Sequence, residues 1–157
     1  MTILKILDTL QQLELRAAEL YRWLAEVLAA DRQASGVFFR LSLQEQTHAN
    51  LIAFQRRVIL HGGGPVAVPE IDLRGVAEVI AAVDEFRATH PSPTVEEAVA
   101  FAMWLEEGAA EQVHSRLLRA CDSPLATLVR NLAADDRRHK ELLGTLTARF
   151  AKESAAC

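Results

Sequence analysis

Two stretches of the chain place an acidic residue and a histidine on a helical face that should be buried. Residues 38–59 show one such face, made by Phe38, Leu41, Ile52 and Ile59. Glu45 and His48 lie near its middle, and residues three apart point the same way from a helix. An unpaired buried carboxylate costs free energy, so the pair predicts a partner such as a shared cation.

Residues 125–150 repeat this pattern. Their apolar stripe consists of Leu125, Leu128, Leu132, Leu143, Leu146 and Phe150. Asp136 and His139 lie on the stripe, whereas Asp135 lies about 70° from its centre at about 100° per helical residue. Asp136 is therefore predicted to be the counterpart of Glu45, and the two acid-x-x-His pairs predict one shared internal site.

Composition favours a single all-α domain over residues 1–157, because half of the residues are hydrophobic and only 6% are aromatic. The formal net charge of −4 argues against a nucleic-acid partner. Cys121 and Cys157 form no Cys-x-x-Cys motif, which argues against thiolate metal sites and disulfides. No run resembles a signal peptide or membrane span, so we expect a cytoplasmic protein.

The apolar periodicity and its punctuation predict four long helices and a shorter one. The long helices are expected at about 3–30, 32–60, 94–120 and 123–150, and the short helix at about 75–88. Asp31 can cap the second long helix, and Thr94 with Glu97 has the form of a capping box. The long connection that contains the short helix would let the second and third long helices run parallel.

Each half of the chain adds a lone carboxylate to its acid-x-x-His pair. Glu14 lies on the inner face of the first helix beside Tyr21, and Glu107 lies close to the inner face of the third, as does His114. The neighbouring acids are predicted to be solvated; they are Glu19, Glu26, Glu106 and Glu111.

Six carboxylate and imidazole side chains on inner faces suit two divalent metals held between four helices. They are Glu14, Glu45, His48, Glu107, Asp136 and His139. This donor set favours iron or manganese over a structural zinc, which prefers thiolate-rich sites.

With these residues the chain resembles the ferritin-like superfamily of di-iron carboxylate proteins, and most of all its rubrerythrin-type and small ferritin-like members. The resemblance covers all four long helices. It implies that the six side chains are metal ligands, with Tyr21 as a partner of a ligand. It also implies reaction with dioxygen or hydrogen peroxide, as in a di-iron oxidoreductase of the ferroxidase, oxidase or peroxidase type.

Three positions depart from the family pattern. Asp136 stands where the family usually has glutamate, and His114 stands where a second tyrosine is common. Ala110 replaces an additional glutamate of rubrerythrins. Without Cys-x-x-Cys there is no rubredoxin-type module, so an external electron donor is expected. His114 is interpreted as an extra ligand, as a hydrogen-bond partner of Glu107, or as a residue that only packs.

The sequence thus predicts a ferritin-like four-helix bundle that binds two iron ions and acts as a redox protein. Manganese, a mixed iron–manganese pair or zinc are alternative cofactors. The expected assembly is a homodimer or a larger homo-oligomer without membrane or nucleic-acid partners. The alternative functions are a ferroxidase that handles or stores iron, with or without a cage, and a metal-free helical interaction scaffold.

Overall fold

The computed structural model describes residues 2–62, 73–108 and 124–155 of the chain. Within these residues all regular structure is helical, which confirms the all-α prediction. The helices are α1 (Ile3–Val27), α2 (Arg32–Gly62), α3 (Arg74–Thr89), α4 (Val95–Glu106) and α5 (Pro124–Ala155). The later part of the third predicted long helix, with Ala110, Glu111, His114 and Cys121, lies outside the described residues. No described helix is long and apolar enough to cross a membrane.

Helices α1 and α2 form the most extensive helix pair of the described residues. Residues 28–31 connect them, and so short a connection makes the two helices antiparallel neighbours. The α1 side of the interface is a continuous buried stripe that includes Leu10, Leu13, Ala17, Tyr21 and Leu24. This stripe has helical spacing, so burial of apolar area stabilises the helix and the pair together.

Side-chain caps determine where two of the helices begin. The Asp31 carboxylate accepts hydrogen bonds from the backbone N–H groups of Gln33 and Ala34, at the start of α2. At α4, Thr94 and Glu97 form the reciprocal bonds of a capping box. Because these bonds satisfy backbone N–H groups that have no partner within the helix, they stabilise the helix starts.

The remaining helices close the bundle around the α1–α2 pair. Helix α5 contacts both α2 and α4, and α3 packs on α1. The α3 side chains turned inward are Val76, Val79, Val83 and Phe86. Phe86 also stacks on Phe101 of α4, with 4.1 Å between the ring centroids. The faces that α1, α2, α4 and α5 turn inward meet at a group of buried acidic and histidine side chains.

Candidate metal centre

Helix α2 supplies Glu45 and His48 from its buried face. Their exposed fractions are only 3% and 2%, and the face on which they lie contains Phe38, Leu41 and Ile52. These large apolar residues fix the rotation of the helix, because turning it would expose them to water. The carboxylate and the imidazole are therefore held in the interior by the packing of their neighbours.

Helix α5 supplies Asp136 and His139 in the same way. His139 is fully buried and Asp136 is 9% exposed, on a face that includes Leu132, Leu143 and Leu146. The His139 ring stacks on that of His48, with 5.4 Å between the centroids and 21° between the planes. The two acid-x-x-His pairs thus meet in space, although 91 positions separate the two histidines in the sequence.

Glu45 lies between the two histidines. Its Oε2 is 3.1 Å from His48 Nδ1, and its Oε1 is 2.8 Å from His139 Nδ1. A third residue completes a triad on each side: Glu14 Oε2 is 3.6 Å from His48 Nδ1, and Glu106 Oε2 is 3.3 Å from His139 Nδ1. Within each triad the candidate ligand atoms lie within 4.8 Å of one another.

A cavity of about 20 Å³ adjoins both triads. Its polar lining consists of Glu14, Glu45, Glu106 and Asp136, and its apolar lining of Leu13, Ala17 and Leu105. This volume accommodates roughly one water molecule, or a small ion in its place. Asp136 therefore shares the cavity with the three glutamates but belongs to neither triad.

The α4 carboxylate of the centre is Glu106, which corrects the prediction of Glu107. Glu106 is buried, whereas Glu107 is the exposed residue that follows the helix. The buried side of α4 consists of Ala98, Val99, Ala102, Leu105 and Glu106. Glu106 follows Ala102 by four residues and hence lies on the same side of the helix. Glu107 follows Met103 by four residues, and Met103 is only half-buried, so that side of the helix is not the inner one.

Tyr21 contacts the α4 carboxylate instead of its helix neighbour Glu14. Its hydroxyl donates a hydrogen bond to Glu106 Oε1 over 2.5 Å, and its ring lies 6.0 Å from that of Phe38. Burial, together with the nearby carboxylates of Glu106, Glu45 and Glu14, raises the pKa of Tyr21 well above its ordinary value. The hydroxyl therefore keeps its proton and orients Glu106.

Asp135 is a site residue that the sequence reading missed. Its Oδ2 lies 3.3 Å from His48 Nε2, and its Oδ1 accepts a hydrogen bond of 2.8 Å from Arg138. A carboxylate on the outer nitrogen orients an imidazole and leaves the inner nitrogen free to bind a metal. Its position in the sequence could have indicated this role, because Asp135 is four residues before His139. It lies on the edge of α5 that turns towards α2.

The two histidines offset part of the negative charge of the cluster. Burial by itself lowers the pKa of His48, but the hydrogen bonds to Glu14 and Glu45 outweigh it and raise the pKa to about 11. Burial opposes protonation of His139 too, yet Glu106 and Glu45 raise its pKa to about 10. Both histidines lower the pKa of Glu45 against the effect of burial. Two metal ions bound here, one at each triad, would displace the two imidazolium protons and take over their charge.

The donor set is of the kind that binds transition-metal ions. The triads offer carboxylate oxygens and imidazole Nδ1 atoms, and Glu45 offers one oxygen to each. Iron and manganese bind such mixed oxygen and nitrogen sites. Of the predicted ligands, the structure brings together Glu14, Glu45, His48, Asp136 and His139 and replaces Glu107 by Glu106. His114 lies outside the described residues.

Comparison with known proteins agrees with this architecture. The family model described as Rubrerythrin matches residues 5–147, which is nearly the whole chain. No curated protein and no solved structure matches the chain. Because the match spans all the helices that supply the buried acids and histidines, the chain belongs to the rubrerythrin family of the ferritin-like superfamily.

Proposed function

We propose that the protein is a di-iron redox protein that reacts with dioxygen or hydrogen peroxide. The observation that carries this proposal is the position of Glu45, whose two carboxylate oxygens face two histidines of different triads. Glu45 would therefore help to hold a metal ion at both triads. Bound iron would supply a centre that alternates between the ferrous and ferric states and exchanges electrons with the oxidant.

The protein side chains have separate roles in this proposal. Glu14 and His48 would complete one metal position, and Glu106 and His139 the other. Asp136 faces the shared cavity, where its short side chain is placed to hold a water molecule or an exchangeable ligand. Tyr21 orients Glu106 through its hydroxyl, which donates a hydrogen bond to that carboxylate.

The surroundings of the cavity favour redox chemistry inside the bundle. Leu13, Ala17 and Leu105 limit the entry of water and strengthen electrostatic interactions at the carboxylates. The sequence contains no Cys-x-x-Cys motif for a rubredoxin-type centre. Electrons would come from a donor outside these helices.

Anaerobic titration with Fe(II) tests the metal part of this proposal. We expect uptake of about two ions per chain in two steps, since the triads share only Glu45. Glu45→Gln should weaken both steps, because it removes one charge and one ligand oxygen from the shared position. The matched control is Glu19→Gln on α1, where the carboxylate is exposed and bonds Arg16.

The redox part is tested on the iron-loaded protein. With a chemical reductant present, it should consume dioxygen or hydrogen peroxide faster than Glu45→Gln does. A chain that takes up neither Fe(II), Mn(II) nor Zn(II) would contradict the proposal and favour the helical scaffold. A cage-sized assembly in light scattering, combined with retained ferric iron, would favour storage over the proposed redox function.

A further inference from the structure

The residues that precede the two acid-x-x-His acids are Gln44 and Asp135. Asp135 of α5 reaches across to the outer nitrogen of His48 on α2. The two helices exchange roles in the other half of the centre. Gln44 of α2 therefore occupies the position from which a side chain would reach the outer nitrogen of His139 on α5.

Two atoms at this position lack partners among the described residues. They are Oε1 of Gln44 and Nε2 of His139, both of which are buried. If His139 Nδ1 binds a metal, its Nε2 carries the proton and requires an acceptor. An amide oxygen is such an acceptor, so the two unpartnered atoms are chemically complementary.

The groove between α2 and α5 brings Gln44 to the correct level of the bundle. Gln44 lines it together with Arg138, which directly precedes His139, and Leu142, which follows His139 by three residues. Gln44 Oε1 and His139 Nε2 are not bonded in the structure. The terminal amide torsion of glutamine is soft, so its rotation is a low-cost way to bring the oxygen towards α5.

We propose that Gln44 is the positioning residue of His139 and accepts a hydrogen bond from its Nε2–H group when Nδ1 binds a metal. This inference rests on the proposed function. It makes the metal affinities of the two positions unequal, because the outer nitrogen of His48 faces a carboxylate and that of His139 would bond a neutral amide. A carboxylate raises the basicity of a ligating imidazole more than an amide does, so the His139 position is the weaker one.

Two variants of Gln44 test this in metal titrations of the full chain with Fe(II) and, separately, Zn(II). Gln44→Leu removes the acceptor and should weaken one binding step roughly 10-fold or more. Gln44→Glu keeps the shape, adds a charge and should strengthen the same step. The control is Gln46→Leu on the same helix, whose amide bonds Asn50 at the surface and which should leave both steps unchanged.

A second measurement follows the proton itself. In the Zn(II)-loaded protein, the His139 Nε2–H signal should be protected from solvent exchange in ¹⁵N NMR spectra and should lose this protection in Gln44→Leu. If Gln44→Leu does not fold, the isosteric Gln44→Glu decides through the titration alone. Two-step uptake that neither variant alters would overturn the role of Gln44 and leave the proposed function intact. An unaltered chain that binds no metal would overturn both.

Discussion

The centre has an α2 half, with Glu45 and His48, and an α5 half, with Asp136 and His139. The two halves carry the same sequence pattern but hold their histidines differently. Both ring nitrogens of His48 are engaged: Nδ1 faces Glu14 and Glu45, and Nε2 faces Asp135. His139 engages only Nδ1, and its buried Nε2 has no partner in the described part of the chain. A repeated motif therefore does not give equal surroundings, because the outer partner comes from the opposite helix.

Glu106, the lone carboxylate of the α5 half, is oriented by a residue of the other half. Glu106 accepts a hydrogen bond from Tyr21, the only tyrosine of the chain. That bond links α1 to the α4–α5 side of the centre, whereas the Asp135 contact links α5 to the α2 side. Each half is thus oriented by a residue that belongs to the other.

The largest expected effect separates Glu106 from Glu107. Loss of a residue that hydrogen-bonds a metal ligand costs roughly 10- to 100-fold in metal affinity. Glu106→Gln should weaken the binding of one metal ion by more than this, because the proposed ligand itself loses its charge. Glu107→Gln is the matched control and should leave both steps unchanged, since that side chain is exposed. Isothermal titration with Zn(II) measures both steps. The reverse result would show that α4 is rotated by one residue from its position in the structure.

The contrast between Glu106 and Glu107 also indicates which helix faces could be predicted from the sequence. In α2 and α5, large residues such as Phe38 and Leu132 surround the acids, so periodicity identified the inner face. In α4 two of the buried positions, Ala98 and Ala102, carry small residues. Small residues contribute little to a hydrophobic pattern, although they allow helices to approach closely. The predicted inner face of α4 was therefore rotated by one residue.

The side-chain contacts between helices could not be predicted from the sequence for another reason. The bonds from Tyr21 to Glu106 and from His48 to Asp135 depend on the relative rotation and height of two helices. Spacing within one helix contains neither quantity. The pattern could predict which residues meet at the centre, but it could not predict which partner each one has.

Asp135→Asn should make the α2 half resemble the α5 half. The variant keeps an oxygen near His48 Nε2 but removes its charge, so one metal-binding step should weaken by about 10-fold. The metal affinities of the two steps should become more similar as a result. Asp84→Asn removes an exposed carboxylate of α3 and serves as the control. If calorimetric titration finds the same difference in affinity between the two steps, the charge of Asp135 is not what makes the two metal affinities unequal.

Tyr21→Phe removes the hydroxyl that orients Glu106 and leaves the ring in place. A hydrogen bond to a buried carboxylate is worth about 1.5 kcal/mol or more, so the free energy of unfolding of the metal-free protein should fall by about that amount. Urea denaturation followed by circular dichroism measures it. Both metal-binding steps should remain, because Tyr21 is not predicted to bind metal. A variant as stable as the unaltered chain would mean that water replaces the hydroxyl at Glu106.

The smallest effect concerns the ion pair between Asp31 and Arg149, which ties the α1–α2 turn to the end of α5. The hydrogen bond from Arg149, with help from the Ala34 N–H group, lowers the pKa of Asp31 from 3.8 to about 2. Because the folded pKa lies below the unfolded one, the stabilisation is fully present above pH 4 and disappears as the pH falls towards 2.

Arg149→Met should therefore lower the free energy of unfolding by about 1 kcal/mol at pH 7, a value reduced for the partial exposure of the pair. The deficit should shrink between pH 4 and pH 2 in chemical denaturation, because protonated Asp31 no longer attracts the guanidinium. Arg16→Met removes the exposed ion pair with Glu19 and should change stability by less than about 0.5 kcal/mol. Neither variant should alter metal binding. If Arg149→Met weakens either metal-binding step, the position of α5 depends on this ion pair, and the difference between the halves is not set by their local partners alone.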